Sequence, residues 1–213
     1  MRSGRVKVNG VVASAMGTRV VPGRDAVEVD GKPVTIPDVR WIAFHKPVGV
    51  LTTRSDPHGG TTLYDVLPKA LRQLRYVGRL DRDAAGLILL TNDGEQAHRL
   101  QHPSGELERE YEVEVAGRVS VETLRNLLRG VELDDGPAAA RRAEILQVGP
   151  LVSRVRLVIT EGRKREVRRM MSAVGHPVLK LSRVRFGPVA LEGLEPGAWR
   201  GLTAKELRAL QVR

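Results

Sequence analysis

The chain contains no cysteine. That one absence excludes disulfides, thiolate nucleophiles and zinc knuckles together. No run approaches the roughly 18 consecutive apolar residues of a membrane span, and Met1-Arg2-Ser3-Gly4 lacks a signal peptide's apolar core. A G-x-S-x-G elbow, a Walker A loop and a G-x-G-x-x-G fingerprint are all missing. His98 and His102 stand four apart, but Arg99 follows where a zinc-protease helix needs glutamate, so no metal site is expected. These absences predict a soluble intracellular protein. Aromatic residues make up only 3% of the chain, with three tyrosines, so a tyrosine in polar company stands out.

Positive charge is what the chain has in excess. Lys and Arg number 35 against 25 Asp and Glu, a net charge of +10, and 28 of the 35 are arginine. Arginine's planar fork matches phosphate and stacks on bases. A polyanionic partner is expected, and nucleic acid is the commonest. A membrane surface is disfavoured, because no basic amphipathic helix lies beside a long apolar stretch.

Along the 213 residues, the first 38 read as short β-branched runs and turns. Asn9-Gly10 between valines is the strongest hairpin signal, Pro22-Gly23 and Asp30-Gly31 mark further turns, and PVTIPDVR (33–40) reads as an extended linker. A piece under about 40 residues hardly holds its own core. A larger unit, residues 39–213, follows. WIAFHKPVGVLTT begins as a strand and runs into a Pro-Gly turn, and LYDVLPKAL is a short helix candidate. Thr91-Asn92-Asp93 offers N-caps for a helix through His102, stopped by Pro103, with Glu95 as the capping-box acid of Asn92. EREYEVEVAG alternates as a half-buried strand should. Ser120 caps a helix ending at Gly130, RRAEILQV and SRVRLVIT are strands, and Thr203 to Glu206 is a capping box. Strands outnumber helices without regular alternation, which predicts α+β with a mixed, largely antiparallel sheet flanked by helices.

Two constellations could carry chemistry. GRLDRDAAGLILLTNDG (78–94) sets Asp81 and Asp83 among arginines between the apolar runs RYVGRL and GLILLT. An acidic turn residue is ordinarily solvated. Here Gly78 and Gly86 bracket the turn and permit close backbone approach, the flanking runs are too apolar to face water, and Arg79 and Arg82 place positive charge beside Asp81. The residues alone leave two rivals open, a divalent-metal pair and a glycosidase-like carboxylate pair. In EGRKREVRRMMSAVGHP (161–177), Val167, Met170, Met171 and Val174 form one buried helical face, and Arg163, Lys164, Arg165, Arg168 and Arg169 crowd its first turns. Cations there oppose the helix dipole, which points to a phosphate-facing edge. Tyr111, within LEREYEV, is a core strand residue on the plain reading and a stacking platform for an extruded base on the other.

Taken together, GRLDRDAAGLILLTNDG, HKPVGVLTT (45–53), EREYEVEVAG (108–117) and EGRKREVRRMMSAVGHPVLKLSRVRFGP (161–188) resemble the pseudouridine synthases, in the branch acting on ribosomal RNA. The likeness runs in order from about Trp41 to Pro188, while residues 1–38 resemble the second half of an S4 RNA-binding domain, without its helical first half. Ala84 departs from the threonine usual in the family.

The resemblance implies a pseudouridine-synthase catalytic fold over residues 39–213, behind a partial S4-like segment. It implies Asp81 as the essential carboxylate, Tyr111 as the active-site tyrosine, and Arg168 as the arginine pairing with Asp81. Asp83 is left to the loop. RNA contacts fall to Lys46, Arg79, Arg82, Arg163, Lys164, Arg165 and Arg169, with Lys180 and Arg183 as phosphate contacts on the following strand. The expected reaction turns a uridine of ribosomal RNA, with 23S favoured and 16S the alternative, into pseudouridine on naked RNA or a pre-ribosomal particle. It needs no cofactor, and the enzyme is expected to act as a cytoplasmic monomer. The competing expectations are a catalytically silent RNA-binding or ribosome-assembly factor on the same fold and a metal-dependent phosphodiesterase using Asp81 and Asp83.

Overall fold

The computed structural model describes residues 4–211 apart from 22, 36 and 103–105. The expected roles of Pro22 in a turn and of Pro103 as a helix stop lie outside the described residues. Two compact units emerge, Met1–Val39 and Arg40–Arg213.

The first unit is a four-stranded antiparallel sheet of β1 (Val6–Val8), β2 (Val11–Val12), β3 (Val27–Val29) and β4 (Lys32–Pro33), in the order β2-β1-β3-β4. Asn9 and Gly10 both take positive φ, 51° and 81°, as a tight hairpin of right-handed twist requires. Asp30 and Gly31 repeat that device between β3 and β4.

The second unit opens with β5 (Trp41–Lys46), α1 (Leu63–Val66), β6 (Arg75–Val77), β7 (Ala85–Thr91), α2 (Gly94–Gln101), β8 (Arg109–Ala116) and α3 (Val121–Arg129). It continues with β9 (Val131–Leu133), β10 (Gly136–Ala138), β11 (Arg142–Gln147), β12 (Val152–Ile159), α4 (Glu166–Ala173), β13 (Val178–Phe186), β14 (Val189–Ala190), β15 (Trp199–Gly201) and α5 (Ala204–Gln211). The main sheet runs β11-β12-β8-β13-β7-β5-β15, with β14 beside β13 and β6 beside β7. Every named pairing in it is antiparallel except β13 with β7. The expected α+β class with a mixed, largely antiparallel sheet holds.

The sheet is buried on both sides around β5 and β7. Ile42, Phe44, Ile88 and Leu90 face one core with α1, α3 and α4, while Trp41, Ala43, Leu87 and Leu89 face a second with α2 and α5. On β8 the alternation is complete: Arg109, Tyr111, Val113 and Val115 are buried, and Glu110, Glu112 and Glu114 between them are half-buried. Those glutamates bind Arg154, Arg156, Arg185 and Lys180 in a ladder of ion pairs. Lys180, expected on phosphate, is therefore engaged with Glu114 at 2.9 Å.

Three local expectations are corrected. LYDVLPKAL is not one helix: α1 stops at Val66, because Leu67 precedes Pro68 and takes the extended conformation (ψ 141°) that proline imposes on its neighbour. The cap of α2 is Asp93, which accepts from the Gln96 amide, so Glu95 faces Arg99 one turn on instead of closing a box with Asn92. Helix α4 begins at Glu166, so Arg163 and Lys164 precede it and Arg165 is its left-handed N-cap, φ 51°. The β9–β10 hairpin was not anticipated, although Asp134-Asp135-Gly136 is turn chemistry.

Candidate active site

Register across the sheet sets the site. Lys46 on β5 lies opposite Gly86 on β7, Gly86 opposite Arg183 on β13, and Arg183 opposite Tyr111 on β8. The parallel contact between β7 and β13 is very close. A Cβ on Gly86 would sit 2.4 Å from both the Arg183 amide nitrogen and its carbonyl oxygen, and its φ of 113° suits glycine alone. Above this row opens a cleft of about 1180 Å³, whose lining includes Asp81, Tyr111, Arg79, Arg82, Lys164 and Arg183. Asp81 and Tyr111, thirty positions apart in sequence, thus share one cavity.

The Asp81 turn is fastened from the segment after β5. Thr52 Oγ1 donates to the Leu80 carbonyl at 2.8 Å and accepts from the Leu80 amide at 3.3 Å. The Gly49 amide donates to the Arg82 carbonyl at 2.8 Å, and the Ala84 amide closes the turn onto the Asp81 carbonyl at 3.1 Å. Lys46 stabilises the fastening segment from below, donating to the Pro47 and Val50 carbonyls at 2.8 Å each. It is fully buried, so the side chain expected to contact RNA is turned inward onto these carbonyls. Burial pushes its ammonium down to about 8, against the pull of Asp81 and Asp83. Thr52 and Gly49 were not singled out from sequence, although both lie in the HKPVGVLTT motif.

The arginines are paired differently from expectation. Arg168 Nη2 reaches the Asp83 carbonyl at 3.0 Å and the Asp83 carboxylate at 3.1 Å, so its carboxylate partner is Asp83 and not Asp81. Arg165 spans both acids, 3.2 Å from Asp83 and 3.8 Å from Asp81. Burial raises Asp83, yet the Arg165 hydrogen bond and the charges of Arg168 and Arg165 outweigh it and hold the acid below its usual range. Asp83, assigned to the loop, is the anchor of two guanidiniums.

Arg163 and Arg169 are also committed. Both bind Asp135 at the tip of the β9–β10 hairpin, at 3.2 and 2.8 Å, and Arg163 adds Glu161 and the Gly136 and Pro137 carbonyls. These bonds hold Asp135 down at about 2, with Arg169 the main cause. Arg183 is 1% exposed and donates to the Leu87 carbonyl at 2.8 Å, so it lies beneath the cleft surface rather than on a phosphate-facing edge. Arg79, Arg82 and Lys164 remain exposed along the cleft.

Two further buried residues shape the wall, and neither was picked out from the sequence. Arg109, inside the LEREYEV motif, sends Nη1 to the Leu107, Thr160 and Glu161 carbonyls. Glu166, 4% exposed, accepts from the Arg163 amide at 3.0 Å, and burial raises its carboxyl above the usual range. Among the described residues no group of three or more His, Asp or Glu side chains is arranged to hold a metal, and no helix is long and apolar enough to cross a membrane.

Known proteins share this architecture. The profile of the RNA pseudouridylate synthase family matches residues 40–173. Ribosomal large subunit pseudouridine synthase B of Escherichia coli K12 is 43% identical over 221 residues, covering 99% of this chain and 75% of that protein. An uncharacterized RNA pseudouridine synthase of Mycobacterium leprae is 44% identical over 211 residues, 97% of this chain and 82% of its own. A crystal structure of a pseudouridylate synthase superimposes with a TM-score of 0.75 at 32% identity, over 98% of this chain and 90% of that one. A fold with a carboxylate and a tyrosine in one basic cleft, a family profile over most of the catalytic unit, and relatives this similar across nearly the whole chain lead to one conclusion: the chain belongs to the RNA pseudouridylate synthase family and is an isomerase.

Proposed function

We infer that this enzyme isomerises a uridine of ribosomal RNA, in the 23S molecule, to pseudouridine with Asp81 as its catalytic carboxylate. The observation that carries this reading is the placing of Asp81 and Tyr111 in one cleft rimmed by Arg79, Arg82 and Lys164. The ribosomal target follows the large-subunit pseudouridine synthases to which the chain is 43–45% identical.

The chemistry fits those side chains. Pseudouridine formation breaks the N1–C1′ bond and rejoins the ring through C5, without net oxidation or reduction. One ionised carboxylate suffices, either attacking C1′ or removing the C2′ proton. Asp81 is a third exposed, so it can meet a ribose that enters from solvent. The uridine leaves its stack at a cost of about a few kcal/mol, which cationic contacts at the rim offset. Tyr111 then packs on the extruded base. Arg168 orients the loop through Asp83. The chain acts as a cytoplasmic monomer, residues 39–213 forming the catalytic domain and residues 1–38 an S4-like RNA-binding segment.

The test is site-resolved pseudouridine mapping on unmodified 23S and 16S transcripts and on immature subunits, with wild type and Asp81→Ala, all in EDTA. A single new pseudouridine in 23S RNA, missing with the variant, is the expected result. Tight binding with no modification of any substrate would replace this reading with a silent assembly factor.

A further inference from the structure

Arg183 is a buried cation of the cleft that no carboxylate answers. It makes no ion pair among the described residues, and its buried Nη2 has no hydrogen-bond partner. Its Nε is spent on the Leu87 carbonyl. The guanidinium carbon lies 4.9 Å from the centre of the Phe186 ring, which Arg109 approaches at 5.4 Å. Burial disfavours its charge, and the neighbouring Tyr111 phenol works the other way. Gly78, at φ 72°, packs beside it without a side chain: a Cβ there would rest 3.7 Å from the Phe186 ring and 3.8 Å from Arg183 Nη1.

A buried positive charge with an idle donor is costly unless something negative arrives. Arg183 lines the same cleft as Asp81 and Tyr111, so the partner comes from the cleft. A phosphate on an RNA surface does not reach a side chain 1% exposed, whereas a base that enters the cleft comes against the wall that Arg183 lines. We propose that Arg183 is a further catalytic residue, which binds the extruded uracil and stabilises the anion that the ring becomes when its bond to the sugar breaks.

The inference rests on the reaction inferred above. When C1′–N1 breaks, its electron pair leaves with the ring as a monoanion shared by N1, O2 and O4. C1′ is either captured by an Asp81 carboxylate oxygen or relieved by transfer of the C2′ proton to Asp81, which later returns it. Both routes release the same uracil anion. The ring then turns, C5 bonds to C1′, the C5 proton is lost and N1 gains one, so atoms and electrons balance without a co-reactant. A fixed guanidinium in a site shielded from water is a preorganised partner for charge that exists only between the two bonds.

The experiment compares single-turnover conversion of the ribosomal RNA substrate carrying uridine or 5-fluorouridine at the target position. Fluorine makes N1 less basic, so that ring departs with less help. Arg183→Met is expected to slow uridine conversion by about 10²- to 10³-fold, as loss of one oxyanion donor does. It is expected to slow C1′–N1 cleavage of 5-fluorouridine far less, with RNA affinity unchanged and Arg183→Lys intermediate. Equal slowing of both substrates, or a matching loss of RNA affinity, overturns the assignment and leaves Arg183 a structural residue. If circular dichroism shows Arg183→Met unfolded, the Arg183→Lys ratio between the two substrates decides in the same way. A wild type that converts no uridine under any condition fails separately, removing the functional reading and this inference with it.

Discussion

Arg168 holds Asp83 at two points, its carbonyl and its carboxylate, 3.0 and 3.1 Å from one guanidinium nitrogen. Asp81 is thus positioned through the backbone two residues away rather than by a direct bridge from Arg168. Arg168 is 9% exposed and its Nη1 also donates to the Val178 carbonyl, so helix α4, strand β13 and the Asp81 turn meet at this one side chain.

Breaking that anchor should cost turnover more than binding. Asp83→Asn removes the charge that Arg165 and Arg168 share. The expected loss is about 10- to 100-fold in kcat, matching the roughly 1.5–3 kcal/mol of a charge-assisted hydrogen bond. Arg168→Ala should cause a similar loss, and the double variant little more, since both act on one contact. Turnover that survives Arg168→Ala while RNA affinity collapses would sink this role.

Gly86 is where β7 and β13 approach most closely. Gly86→Ala would drive a Cβ into the Arg183 backbone at 2.4 Å and hold alanine at φ 113°. A destabilisation of about 2–4 kcal/mol is expected, combining overpacking with backbone strain. Urea unfolding should show a lower midpoint at an unchanged slope; a wild-type midpoint would mean that β7 and β13 are not this close.

Lys46 gives stability a pH dependence of definite sign. Its ammonium titrates at about 8 in the folded chain and 10.5 in the reference state. Below pH 8 it is charged in both states and burial costs the folded one. Between pH 8 and 10.5 the unfolded chain holds more protons, so this group's contribution rises with pH. The stability of wild type relative to Lys46→Met should therefore shift in favour of wild type from pH 8 to pH 10. A flat difference across that window would contradict the burial.

Cations at the rim and cations in ion pairs should separate in a salt titration. Arg79→Ala, Arg82→Ala and Lys164→Ala should each weaken RNA binding and reduce the salt slope by about 1, as loss of a phosphate contact does. Arg163→Ala and Arg169→Ala, whose guanidiniums hold Asp135, should change the slope less and lower stability by about 1 kcal/mol. Equal slopes for both groups would mean that RNA displaces Asp135.

Much of this molecule is legible one segment at a time. The Asn9-Gly10 hairpin, the helix from Ser120 to Gly130, the alternation of β8 and the Thr203–Glu206 box depend on contacts within a few residues, and pattern reports such contacts directly. The motifs around Asp81, Tyr111 and Arg168 were visible for the same reason. Pairing over distance was not. Nothing in β7 or β13 alone announces that they run side by side in parallel, since periodicity shows which residues are buried but not against what. Formal charge likewise counts cations without their partners. Lys46 and Arg183 lie at strand positions that the fold buries, and Arg163, Arg168 and Arg169 find Asp83 and Asp135 only after the chain closes. Composition therefore pointed to a polyanionic partner. Tertiary structure decided which arginines are left to meet it, because a guanidinium follows the carboxylate that folding places beside it.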